Sequence, residues 1–227
     1  MIEMELSDVQ SGLLRGRRST RGRQAGRHRL RHHLHLLVSE RAARDFPAGR
    51  ARILVTGGRL VGKTSFVGAA AVAVPATLPA QLLSPLLGAA APDAPLDIGR
   101  LPVDHDSQVE LWLVGTPGGE DCWPVWDVLR RDPGTLIGAV VLVDPRRPVD
   151  CRPALAYFRR YRVPYLLAVN EFDGAMRTTA TWVRAALGEP AAPVCFGDAR
   201  RRADARRTLT ALVEHSLGLP GPRSWDG

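Results

Sequence analysis

The residues with the clearest chemical capacity are Gly57-Gly58-Arg59-Leu60-Val61-Gly62-Lys63-Thr64. They follow the apolar run Ile53-Leu54-Val55 and lead into Ser65-Phe66-Val67, so the order is strand, glycine loop, helix. That is the context in which a glycine loop curls its backbone N–H groups around a phosphate. The expected phosphate-binding set is Gly57, Arg59, Leu60, Val61, Gly62, Lys63, Thr64 and Ser65. Lys63 is expected to reach the β- and γ-phosphates, and the Thr64 hydroxyl to ligate Mg2+. The helix N-terminus adds partial positive charge. Lys63 is the only lysine in the chain, the other 30 of the 31 basic residues being arginine. A compact ammonium fits inside a phosphate loop, and a planar guanidinium is no equivalent for it.

A second chemical pattern is Asn170-x-x-Asp173, again after an apolar run. A carboxylate there suits guanine, whose N1–H and 2-amino group form a donor pair. Adenine lacks that pair and would leave the carboxylate unmatched. The bland reading of the pattern is an Asx turn capping a loop. Its place downstream of the phosphate loop favours guanine, so GTP or GDP is the expected ligand.

The elements that must position these groups alternate along the chain. Strands are expected near 51–56, 96–103, 108–114, 136–143, 165–169 and 193–196, and helices near 63–74, 122–132, 152–161, 178–187 and 202–217. Asp104-His105-Asp106 reads as a hairpin turn, and 75–95 as a long loop. Such alternation, with a phosphate loop after the first strand, implies an α/β fold of the P-loop NTPase kind. Its mainly parallel six-stranded sheet would carry one antiparallel edge strand and helices on both faces. Ligands of such sheets lie beyond the carboxyl ends of the strands. The segments found there are Gly115–Asp121, Asp144-Pro145, Asn170–Gly174 and Gly197–Arg200. The uncharged run from Thr64 to Pro92 is not a membrane span, because Pro75, Pro79 and Pro85 interrupt it.

Composition bounds the rest. Residues 11–35 hold eight arginines and no acid, so the chain's net charge of +8 belongs to this tail and the remainder is formally neutral. No aromatic residue interleaves those arginines, which argues against specific nucleic-acid binding. Residues 1–45 are expected to be a disordered basic extension, with a short helix near 34–46. The arginine-rich part suits contact with anionic membrane. The domain then spans 46–218 and a tail 219–227. Cys122, Cys151 and Cys195 lack metal-ligand spacing and read as buried thiols.

Taken together, these segments resemble the Ras-like small GTPase superfamily, and within it the actinobacterial conservon-type ATP/GTP-binding proteins. The resemblance rests on Asp45-Phe46-Pro47, the phosphate loop, Asp97-Ile98-Gly99-Arg100, Gly115-Thr116-Pro117-Gly118, Trp123–Asp127, Gly138–Asp144, Asn170–Gly174, Asp198-Ala199-Arg200 and Leu212–His215. It implies a small G-protein-like fold and a nucleotide-gated signalling switch working beside a roadblock/LC7-type regulator and a sensor-kinase-like membrane protein. It also implies nucleotide contacts from Gly118 and from Asp198, Ala199 and Arg200, with the Ala199 N–H meeting the guanine O6.

The departures from that family matter as much. Gly115 stands where an aspartate usually holds Mg2+, which places the metal on Thr64 and the phosphates. Gly119 stands where a glutamine usually orients the attacking water, which implies slow or degenerate GTP hydrolysis. Asp93 is a conceivable metal contact. Trp123 and Trp126 look like exposed partner anchors or packing of an amphipathic helix. The resulting expectation is a small GTP-binding switch, cytoplasmic or peripheral to the membrane. Two alternatives are a P-loop ATPase using Asp144 as its Walker-B acid and a non-hydrolysing nucleotide-binding adaptor.

Overall fold

The computed structural model describes residues 50–72, 76–78, 95–102, 110–131, 135–171, 178–219 and 224–225. The basic extension, the 34–46 helix, the 104–106 turn, Asp93 and Asp173 lie outside them. The strands are β1 (Arg50–Gly57), β2 (Ala76–Leu78), β3 (Leu96–Pro102), β4 (Glu110–Gly115), β5 (Thr135–Val143), β6 (Tyr165–Asn170), β7 (Val194–Gly197) and β8 (Ser224–Trp225). The helices are α1 (Lys63–Ala70), α2 (Trp123–Arg131), α3 (Arg152–Tyr161), α4 (Ala180–Leu187) and α5 (Arg202–Ser216).

All eight strands form one sheet in the order β2-β3-β4-β1-β5-β6-β7-β8. The six expected strands make its body, and the short β2 and β8 extend its two edges. β3 runs antiparallel to both neighbours, while every other pairing among the described strands is parallel. The antiparallel strand is thus one place in from the edge, because β2 pairs outside it.

β1 lies between two parallel partners, which is why its sequence is apolar on both faces. Alternation sends Ile53 and Val55 to one side, under Phe66 and Val67 of α1 and Leu209, Leu212 and Val213 of α5. It sends Leu54 to the other, against Val125 and Trp126 of α2, Leu155 and Phe158 of α3 and Val183 of α4. Two helical layers therefore clamp the strand that presents the glycine loop, and this fixes where the loop begins.

One expectation is corrected and an open one is decided. α1 stops at Ala70 rather than at 74: Ala71 turns extended at ψ 156°, and the Val72 N–H bonds Arg100 O of β3 at 3.1 Å. Tertiary pairing there overrides the helical tolerance of alanine. Of the two readings of the tryptophans, packing of the amphipathic helix holds for Trp126. It is fully buried, with its ring 5.1 Å from that of Tyr157 and 5.4 Å from that of Phe158. Trp123 is half-buried and meets Tyr157 edge-on at 5.5 Å, so packing of α2 accounts for both. Among the described residues no helix is long and apolar enough to cross a membrane.

Candidate nucleotide site

The phosphate loop runs from Gly57, the last residue of β1, to Gly62, the residue before α1. Lys63 folds back across it, its Nζ donating to Gly57 O at 3.1 Å and Gly58 O at 2.6 Å. Burial lowers the Lys63 pKa from its ordinary value, and the negative charge of Asp97 works in the opposite direction. Leu60 adopts left-handed backbone at φ 57° with its side chain 85% exposed. That conformation costs a non-glycine residue about 1–2 kcal/mol, so the surroundings must hold it. The 144–151 segment does part of this, since Arg147 Nη2 donates to Arg59 O at 3.3 Å.

Beside the loop stands a carboxylate that the sequence reading did not assign. Asp97, in β3, accepts from Thr64 Oγ1 at 2.6 Å and from Thr77 Oγ1 of β2 at 3.1 Å. Its strand partner in the antiparallel register is Gly115. A Cβ on Gly115 would lie 3.1 Å from the Asp97 Cβ and 3.3 Å from Val67 Cγ2. A side chain at 115 would therefore be tight against Asp97 and Val67, which would have to give by a few tenths of an ångström. The carboxylate that reaches Thr64 is thus one from β3 and not one from the loop after β4. A hydroxyl and a carboxylate are hard oxygen donors, a set that suits Mg2+.

The loop after β4 is pressed against the phosphate loop. The Thr116 N–H donates to Val55 O at 2.9 Å, and Thr56 Oγ1 donates to Pro117 O at 3.1 Å. Trp126 Nε1 donates to Thr116 Oγ1 at 2.8 Å, tying this loop to α2. A Cβ on Gly118 would fall 2.3 Å from Gly57 O, so only glycine allows this approach.

At the other end of the site Asn170 is buried at the end of β6. Its Nδ2 donates to Val61 O at 2.9 Å, and its Oδ1 accepts from the Ala199 N–H at 2.8 Å. The side chain thereby joins the phosphate loop to the loop after β7. Its direct work is to hold these loops together, and a base reaching Ala199 would share that N–H with Asn170. Asp198 is bound by Arg200 through Nε at 2.9 Å and Nη2 at 2.8 Å, and these hydrogen bonds lower its pKa. The structure thus gathers Gly57 through Ser65, Gly118, Asn170 and Asp198–Arg200 at the carboxyl ends of β1, β4, β6 and β7.

Asp144 directly follows β5 nearby, but its carboxylate is already satisfied. Arg146 donates to it from the backbone N–H and from Nε, each at 2.9 Å, and from Nη2 at 2.9 Å. The side-chain bonds of Arg146 lower its pKa from the ordinary carboxylate value. That arrangement is an acid locked in a turn, not one aimed at a metal.

No family model matches this chain, and no curated protein does. Solved structures do match. The G domain of the T. maritima FeoB iron transporter superposes with a TM-score of 0.53 at 16% identity, covering 74% of this chain and 99% of that one. The cytosolic domain of the same transporter matches in its GMPPNP form (TM-score 0.52, 18% identity, 73% of this chain and 64% of that one). Its GDP form II matches with a TM-score of 0.52 at 17% identity, over 74% of this chain. The chain spans only 63% of that larger cytosolic domain. At such identities the likeness is one of architecture, and the architecture is the P-loop GTPase fold.

Proposed function

We propose that this chain is a small GTP-binding switch protein with slow intrinsic hydrolysis, acting in signalling and resembling the conservon-type proteins. The observation that carries the reading is the Asn170 side chain, which spans Val61 O and the Ala199 N–H. It couples the loop that meets phosphates to the loops that would meet a base, as a nucleotide longer than either loop requires. Guanine nucleotide forms of the FeoB domain share this fold, which supports the same class of ligand here.

In this reading Lys63 and the loop N–H groups hold the phosphates, and Thr64 with Asp97 holds Mg2+. The metal supplies charge neutralisation between the β- and γ-phosphates. Asp173 selects guanine, with Asp198–Arg200 bounding the base. Gly119 offers no side chain to orient water, so hydrolysis is slow and waits on a regulator, for which a roadblock/LC7-type protein is the family's suggestion. A cytoplasmic location, with residues 11–35 touching anionic membrane near a sensor-kinase-like protein, completes the proposal. The locked Asp144 carboxylate argues against the Walker-B reading.

Titration of the purified chain with labelled GTP, GDP and ATP tests this. Guanine nucleotides are expected to bind, and ATP not. Asp173→Asn is expected to weaken guanine and admit xanthine, whose C2 carbonyl accepts from the new amide. Equal affinity for ATP and GTP would overturn the guanine assignment.

A further inference from the structure

The segment between β5 and α3, which braces Leu60, lies directly on the phosphate loop. The Asp150 Cβ stands 2.6 Å from where a Cβ on Gly58 would be. Arg147 Nη2 donates to Arg59 O at 3.3 Å, and its guanidinium is flanked by Asp144 Oδ2 at 3.8 Å and Asp150 Oδ2 at 3.8 Å. The peptide pinned in this way leads into Leu60, the residue with φ 57°. A brace and a left-handed non-glycine residue thus fix the backbone on the carboxyl side of Arg59.

Arg59 itself is exposed, and among the described residues its guanidinium has no hydrogen-bond or ion-pair partner. The neighbouring acids do not neutralise it, because Asp144 and Asp150 are engaged with Arg146 and Arg147. Its place in the loop is informative. Lys63 Nζ rests on the carbonyls of Gly57 and Gly58, the two residues immediately before Arg59. The ammonium that meets the β- and γ-phosphates therefore sits beside the backbone that launches this free guanidinium. An exposed guanidinium on this loop, with no partner among the described residues, is open to an anionic ligand bound there.

We propose that Arg59 is a ligand of the terminal phosphate built into the loop, and that Arg147 is the positioning residue that holds the loop for it. This rests on the nucleotide-binding reading given above. In hydrolysis a water oxygen forms a bond to the γ-phosphorus as the bond from that phosphorus to the β–γ bridging oxygen breaks. The bridging oxygen keeps the electron pair and leaves with GDP, and the proton of the water passes to the departing phosphate. Negative charge on the transferring group and the leaving oxygen is what a guanidinium stabilises. Such an arginine usually comes from a partner or from another loop of the same chain. Here it is carried by the phosphate loop, so this chain supplies the charge and lacks the group that orients water.

The test uses the full chain with Mg2+, measuring GTP and GDP affinity and single-turnover GTP hydrolysis, with thermal melts to verify folding. Arg59→Ala is expected to slow hydrolysis by about 10²-fold or more, as removal of a transition-state arginine does, and to lower the GTP-to-GDP affinity ratio about tenfold. Arg59→Lys is expected to keep most of that affinity ratio but not the rate, because an ammonium lacks the planar fork. Arg147→Ala is expected to show the same pattern in milder form. An Arg59→Ala protein with unchanged rate and unchanged ratio overturns the proposal. So does an Arg59→Gly protein that hydrolyses faster, since the side chain would then be an obstruction. If wild-type hydrolysis is too slow to follow, the affinity ratio alone decides. Wild-type protein that binds neither nucleotide refutes the nucleotide-binding reading itself, whereas binding that Arg59→Ala leaves untouched refutes only the role of Arg59.

Discussion

The two ends of the site are built on different principles. At the phosphate end the work falls to backbone: Gly57, Gly58 and Gly118 are packed so closely that a Cβ on any of them would meet an atom within 2.6 Å. The side chains there, Lys63 and Thr64, rest on carbonyls and on one carboxylate. At the base end the work falls to side chains, with Asn170 reaching into both loops and Arg200 clasping Asp198. In the proposed reading, backbone meets the phosphates that every nucleotide shares, and side chains meet the base that distinguishes one nucleotide from another. The end built of backbone is therefore expected to tolerate little change, and the end built of side chains to change specificity before it loses binding.

The largest effect is expected at Lys63. Its ammonium lies on the loop carbonyls rather than in the core; in the proposed phosphate-binding role, Lys63→Ala should cost about 1.5–3 kcal/mol of affinity for GTP and GDP alike, the scale of a charged hydrogen bond. Unchanged titration would remove the phosphate loop from the site. Next is Asn170→Ala, which leaves Val61 O and the Ala199 N–H without their bonds, at about 1–3 kcal/mol each if both stay buried. If the two ends are one unit, amide exchange should accelerate at 58–62 as well as at 198–200. Faster exchange at one end only would show that they move independently.

Asp97→Asn comes third. Removing the charge beside Thr64 should flatten the Mg2+ dependence of GTP affinity while leaving metal-free binding close to wild type. An unaltered Mg2+ dependence would return the metal to Thr64 and the phosphates alone. The smallest effect is expected from Gly119→Gln, which should raise single-turnover hydrolysis by restoring a side chain that orients water. The backbone there, at φ −80° and ψ 169°, accepts any residue. The new Cβ would lie 2.2 Å from Asp121 Oδ1, so the exposed Asp121 side chain must swing aside. A wild-type protein that already turns over quickly would show that another group positions the water.

What the sequence disclosed follows this same division. The phosphate loop and the strands around it were legible because glycine spacing and apolar runs are local signals. Asp97 was not recognised as a site residue. Its neighbours in sequence say only that a strand begins there, and its role depends on facing Gly115 across an antiparallel pair. β2 was missed because three residues between Pro75 and Pro79 carry no periodicity, and pairing with β3 alone makes them a strand. Trp126 was ambiguous because an amphipathic helix does not say which neighbour covers its apolar face. Tyr157 and Phe158, thirty residues on, provide that cover. The direct role of Asn170 was also invisible: its residue type announced hydrogen bonding, but its partners lie 109 and 29 residues away.

The hydrogen bond from Trp126 to Thr116 has an optical consequence. Of the chain's five tryptophans, Trp126 is packed wholly in the core while Trp182 stands 40% exposed on α4. The Trp126 indole N–H is spent on the hydroxyl of the residue that begins the loop lying on Gly57. Rearrangement of that loop on ligand binding changes the polarity around one buried fluorophore. A shift in intrinsic emission that Trp126→Phe abolishes would therefore report the loop's position in unlabelled protein, on the timescale of mixing.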